Sequence, residues 1–83
     1  MGYGEELARL LALESAQSTL SALMGFLMRD MMAAYAEGDM PTVEALAERL
    51  NQLNEESKRF FSPAIIERIN SEYVVEVRER MAS

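Results

Sequence analysis

Cysteine, histidine and tryptophan are all missing from this 83-residue chain, and proline occurs only twice. Without cysteine there is no disulfide and no iron–sulfur cluster, and without histidine as well the usual zinc sites are excluded. The most versatile acid–base group and the strongest nucleophile are lost with them. Lysine is nearly missing too, with Lys58 alone beside seven arginines. No stretch is basic: the net charge of −6 divides as −3 over 1–38, −2 over 39–61 and −1 over 62–83. Clustered cations for nucleic acid or an anionic lipid surface are therefore lacking, and neither direct nucleic-acid binding nor a membrane partner is expected.

A chain of this size buries only about 60–65% of the surface that its unfolded form exposes. Small natural chains offset this with disulfides, a structural metal, oligomerisation or very regular helix packing. The composition leaves the last two. The opening residues, Met1-Gly2-Tyr3-Gly4-Glu5-Glu6, are acidic and lack the basic-then-apolar order of a signal peptide. Glu6 also stands where a myristoylation signal wants Ser or Thr. The most apolar stretch, Leu20 to Ala36, is interrupted by Arg29-Asp30 and reads as short of a membrane span. A cytoplasmic protein is the expectation.

Apolar residues recur with helical period along nearly the whole chain. Helices are expected at about 4–36, 41–61 and 63–81. The first carries the stripe Leu10, Leu13, Gln17, Leu20, Met24, Leu27, Met31 and Ala34, spaced alternately by three and four. Gly38 in the turn Glu37-Gly38-Asp39-Met40-Pro41 suits a left-handed cap, and Asp39 or Thr42 can open the second helix. The second stripe is Val43, Leu46, Leu50, Leu53, Ser57 and Phe60, with Glu55 and Arg59 at i,i+4. Ser62-Pro63 reads as an N-cap followed by a first-turn proline, and Glu76 with Arg80 as a further i,i+4 pair. Residues 72–77 (EYVVEV) also suit a strand, but a lone strand would have no partner in this chain, so helix is favoured.

The fold class that follows is all-α: a long helix–turn–helix hairpin plus a shorter C-terminal helix in one domain, 1–83, completing its core by dimerisation. At 1.5 Å per residue the first helix spans roughly 50 Å and the second roughly 30 Å, so the second covers only the C-terminal half of the first. From Leu20 to Met28 (LSALMGFLM) the first helix is apolar nearly all round, which implies contact on more than one side. The interface candidates are Leu20, Leu23, Met24, Leu27, Met28 and Met31. Leu23 and Met28 lie off the regular stripe and so are placed to meet a second partner. Phe26, Phe60 and Phe61 are hot spots if they reach a partner, and core otherwise.

Catalysis has little to work with. Lys58 stands in no Ser-x-x-Lys setting, there is no Gly-rich phosphate loop, and Glu44/Glu48 and Glu72/Glu76 fall on expected solvent faces. The Glu37-Gly38-Asp39 turn lacks the spacing of calcium ligands. Met24, Met28 and Met32, at i, i+4 and i+8, could turn thioethers toward Cu(I), but methionine is more often a filler of cores and adaptable binding surfaces. No catalytic residue, cofactor or metal is expected.

Met31-Met32 before the turn, Gly38-Asp39 within it and the Val43–Leu53 stripe after it resemble the hairpins of small type III secretion chaperones and needle subunits. That resemblance implies a helical hairpin and carries no functional residue. The leading functional expectation is a non-enzymatic protein-interaction module, a homodimeric regulator, inhibitor or chaperone-like adaptor of a protein partner. One alternative is an acidic decoy, of phage or mobile-element type, that inhibits a nucleic-acid-binding protein. Another is a structural or chaperone subunit of a secretion or phage assembly.

Overall fold

A computed structural model of the chain describes residues 2–59 and 62–82. Helix α1 is Gly2–Ala36, α2 is Met40–Ser57, α3 is Pro63–Arg68 and α4 is Val74–Ala82. One wide π-helical turn, Ile69–Tyr73, joins α3 to α4, so 63–82 forms a third rod. The described residues are all helical apart from the turns, and 72–77 lies in helix rather than strand. The described part of α2 ends at Ser57, before the expected residue 61. Phe60 and Phe61, named above as possible hot spots, lie outside the described residues.

The first turn of the chain is held by backbone hydrogen bonds of the Schellman type. Asp39 N–H donates to the Ala34 carbonyl at 2.9 Å, and Gly38 N–H to that of Tyr35 at 3.0 Å. Closing both bonds takes Gly38 to φ +76°, where a Cβ is strained. Gly38→Ala is therefore expected to lower stability by about 1 kcal/mol, read by urea denaturation. An unchanged midpoint would mean that the turn tolerates another geometry. Asp39, not Thr42, caps α2: its carboxylate accepts from Thr42 N at 3.3 Å and from Thr42 Oγ1 at 2.6 Å. At the second break Ser62 is extended and Pro63 opens α3, as the Ser-Pro pair requires.

The two short turns make an up–down–up arrangement. Asn70 Nδ2 donates to the Ala12 carbonyl at 3.0 Å, whereas Arg80 Nη1 donates to Asp30 at 2.6 Å. The third rod thus runs parallel to α1, and α2 runs antiparallel to both. The molecule measures 56 × 26 × 14 Å, its length set by α1 alone. Ala16, Leu20, Leu23 and Leu27 of α1 meet Leu53 of α2 and Ile69, Tyr73 and Val77 of the third rod in one core. The third rod folds back beside the hairpin and covers much of what α2 leaves open. The opening turns of α1 extend past both neighbours, and Tyr3 stays 90% exposed.

This core corrects the register read from the sequence. The buried line on α1 is Ala16, Leu20, Leu23, Leu27 and Ala34, whereas Leu10 and Gln17 of the expected stripe are exposed. Leu23, expected off the stripe and free for a partner, has no accessible surface at all. The reason is that hydrophobicity has almost no net direction around α1, so period alone cannot say which of its apolar lines turns inward. In α2 the apolar side is well defined, and Leu46, Leu50 and Leu53 face the core as expected.

Candidate interaction surface

Of the six interface candidates, Leu20, Leu23 and Leu27 lie in the chain's own core. Met24 packs partly against that core, Met31 is half-buried, and Met28 remains 50% exposed. The candidates therefore divide between two sides of α1. The side that faces outward includes residues that were not among the interface candidates, Tyr3, Leu7, Leu10, Leu11, Met32 and Tyr35, each more than half exposed; Leu10 was expected on the core stripe instead. Tyr3, Leu7, Leu10 and Tyr35 fall on a second three–four line of α1 that the sequence also contains, with Leu11 and Met32 flanking it.

That second line is Tyr3, Leu7, Leu10, Glu14, Gln17, Ser21, Met24, Met28, Met31 and Tyr35. It keeps a strict alternation of four and three, about a third of a turn round the helix from the buried line. Two shallow grooves follow it. One, of about 360 Å³, lies between Met31, Met32 and Tyr35 of α1 and Val43 of α2. The other, of similar size, runs past Gln17, Ser21, Gly25 and Met28 to Ser57. Gly25 is exposed, and a Cβ there would meet nothing within 4 Å. A glycine inside a helix costs roughly 1 kcal/mol against alanine, and nothing in this chain's packing requires it.

A third groove, of about 540 Å³, opens where α1 meets the third rod, lined by Ala12, Pro63, Ile66 and Asn70 among others. Asn70 bridges the two helices through its Nδ2, while its buried Oδ1 accepts no hydrogen bond. This asparagine lies within the π turn, where the widened backbone interrupts the regular register of the rod.

Apart from Glu14, the outward line carries no charge, and the ion pairs between helices lie away from it. Arg49 of α2 forms a two-pronged ion pair with Glu76 of α4, one prong at 2.6 Å. Arg80 reaches Asp30 of α1 at 2.6 Å and Glu76 at 3.7 Å. Glu76, expected on a solvent face, is thus at a helix junction, and its pairing with Arg80 matches the sequence reading. The expected Glu55–Arg59 pair is replaced by Glu55 with Lys58 at 3.2 Å. Tyr73 Oη donates to Glu56 at 2.6 Å, and Arg68 joins this group from 3.4 Å, its guanidinium 5.8 Å from the Tyr73 ring centre. Burial, followed by the hydrogen bond and charge of Glu56, pushes the Tyr73 hydroxyl up to about 12, so it stays a neutral donor at physiological pH.

The Arg49 hydrogen bonds, aided by the Arg49 and Arg80 charges, hold the Glu76 carboxyl below its ordinary 4.5 against the opposing effect of burial. A depressed folded-state value contributes stability that is fully present above 4.5 and is lost as pH falls through the lowered value. Glu76→Gln should remove this acid-sensitive part and cost about 1 kcal/mol near neutral pH. Denaturation of both proteins across the acid range measures it. Parallel pH curves would show that the pair contributes nothing.

Among the described residues no three acidic groups come together as metal ligands would. By length and composition α1 does reach what a bilayer crossing requires, which corrects the shorter span read from the sequence. Yet its most apolar window packs against α2 and the third rod, and Asp30 is paired with Arg80. Only 22% of that window is fully buried within the chain, and Met28 and Met32 are among the large apolar side chains of α1 left exposed. The chain matches no family model, no curated protein and no solved structure.

Proposed function

We propose that this chain is a non-enzymatic protein-interaction module, a cytoplasmic homodimer that acts as a regulator, inhibitor or chaperone-like adaptor of a protein partner. The observation that carries this reading is the outward apolar face of α1, which remains open after the chain's own helices have covered the other side. On that face Tyr3, Leu7, Leu10, Leu11, Met28, Met32 and Tyr35 are each at least half exposed, a run of large apolar groups along one helix. Exposed apolar surface of that extent marks a binding site in soluble proteins. The groove beside Asn70 lies on a different part of α1, past Arg9 and Ala12.

The charge arrangement weighs against the acidic decoy. Asp30, Glu56 and Glu76 are each met by an arginine, so they do not form an uncompensated row that would imitate phosphates. Light scattering on the eluted protein tests the reading. The expected mass is twice 9.4 kDa, unchanged between low and high salt because the contact is apolar. A monomer at high concentration would refute it, and an assembly that dissociates as salt rises would favour an electrostatic contact instead.

A further inference from the structure

The dimer's orientation can be read from the outward line, taking the homodimer reading above as its premise. Apolar residues fill the two ends of this line, while its middle is Glu14, Gln17 and Ser21. A parallel copy would place the polar middles together but pair each end with itself, Tyr3 on Tyr3 and Met28 on Met28. An antiparallel copy pairs the aliphatic end with the methionine end. We propose that two copies associate through α1 in antiparallel fashion, about a two-fold axis beside Thr19.

The spacing supports this arrangement in detail. With the axis at Thr19, Tyr3 comes opposite Tyr35, Leu7 opposite Met31, Leu10 opposite Met28 and Gln17 opposite Ser21, while Glu14 faces Met24, the one apolar position of the line that meets a polar group. The alternation of three and four alone would permit either orientation; a parallel pair would set the Glu14 carboxylate against its own copy, which the antiparallel pair avoids. The flanking line is also complementary. It consists of Gly4, Leu11, Ser18, Gly25 and Met32, with no charge among them. In antiparallel helices such flanking positions face their own kind. Leu11 then falls across from Gly25, Met32 across from Gly4, and Ser18 near its own copy on the axis. Bulk meets glycine in both cases. This explains Gly25, which the lone chain does not use: a second backbone and a leucine side chain occupy the open space where its Cβ would be. The exposures agree, with Leu11 at 56% and Met32 at 69%.

The lack of native cysteine makes the orientation directly measurable. Single variants Leu10→Cys and Met28→Cys change exposed positions, so both should keep the wild-type circular dichroism. They are oxidised alone and as a mixture, with light scattering run on each reduced sample. In the antiparallel dimer the two copies of residue 10 lie about 27 Å apart, far beyond disulfide reach. The expected result is almost no cross-link in either variant alone and a 10–28 heterodimer as the main product of the mixture. Rapid cross-linking of Leu10→Cys with itself would show a parallel dimer and overturn the proposal. A dimeric mass with no cross-link in any sample would place the contact on another face, overturning the orientation but leaving the homodimer reading intact. A monomeric mass would overturn both. Co-flotation of the wild-type protein with anionic phosphatidylserine vesicles at the expense of dimer would assign the face to lipid, and would equally refute the proposal.

Discussion

Leu23→Glu is expected to unfold the chain. Leu23 has no exposed surface and packs in the shared core with Leu20, Leu27, Leu53, Ile69 and Val77. Removing a buried leucine costs about 2–5 kcal/mol, and placing a carboxylate there adds a further penalty of several kcal/mol unless it takes up a proton. A small domain holds roughly 5–15 kcal/mol in total, and a chain of this size belongs at the lower end. Nothing basic in the described core is positioned to pair with the new charge, since the buried set contains no polar or charged residue. Far-ultraviolet circular dichroism should show most of the helix lost at 25 °C. A variant that retains the wild-type spectrum and melts cooperatively would show that Leu23 does not face this core.

Leu53→Ala should give the second-largest effect. Leu53 is the fully buried side chain of α2, and Leu46 and Leu50 only pack against the same core from its margin. Truncating it leaves a cavity where all three rods meet, at an expected cost of about 2–4 kcal/mol. For a domain of 60–100 residues each kcal/mol lowers Tm by about 4–8 °C, so a fall of at least about 8 °C is predicted by calorimetry or thermal circular dichroism. Leu50→Ala, on a partly buried neighbour, should cost less. Equal losses at the two positions would mean that α2 rests on a broad contact and not on the Leu53 anchor.

The sequence reading recovered the all-helical class, both breaks and the inner face of α2, because each rests on a strong local signal. Gly38 is where a left-handed cap was needed, Ser62-Pro63 where a helix had to begin, and the Leu46–Leu50–Leu53 line has polar residues on its other sides. Helix α1 gave no such contrast. Leu10, Leu20 and Met28 are equally apolar in isolation, and which of them is buried depends on where the third rod returns. That return is set by long-range contacts, Asn70 with Ala12 and Arg80 with Asp30, separated by 58 and 50 residues. No local pattern reveals them.

The same limit applies to the candidate surface. Met28 and the half-buried Met24 and Met31 were named from an excess of apolar residues, and that excess is real. Leu20, Leu23 and Leu27, named with them, turned inward because α2 and the third rod reach the middle of α1 from the same side. Glu76 was read as solvated because its helix neighbours are charged, yet Arg49 comes from another helix. The π turn at Ile69–Tyr73 had no visible signal either, as Asn70 and Ser71 suit an ordinary polar face.

The central claim is that α1 has two separable apolar faces, one for its own fold and one for a second copy. Met28→Glu tests it most directly, because Met28 is half exposed and lies on the outward line opposite Leu23 in role though only five residues away in sequence. Its mass by light scattering and its circular dichroism are measured on the same sample. The predicted result is a protein with wild-type helix content and a mass of 9.4 kDa, half that of the parent. A variant that still elutes as a dimer, or that loses its helices along with its partner, would contradict the account.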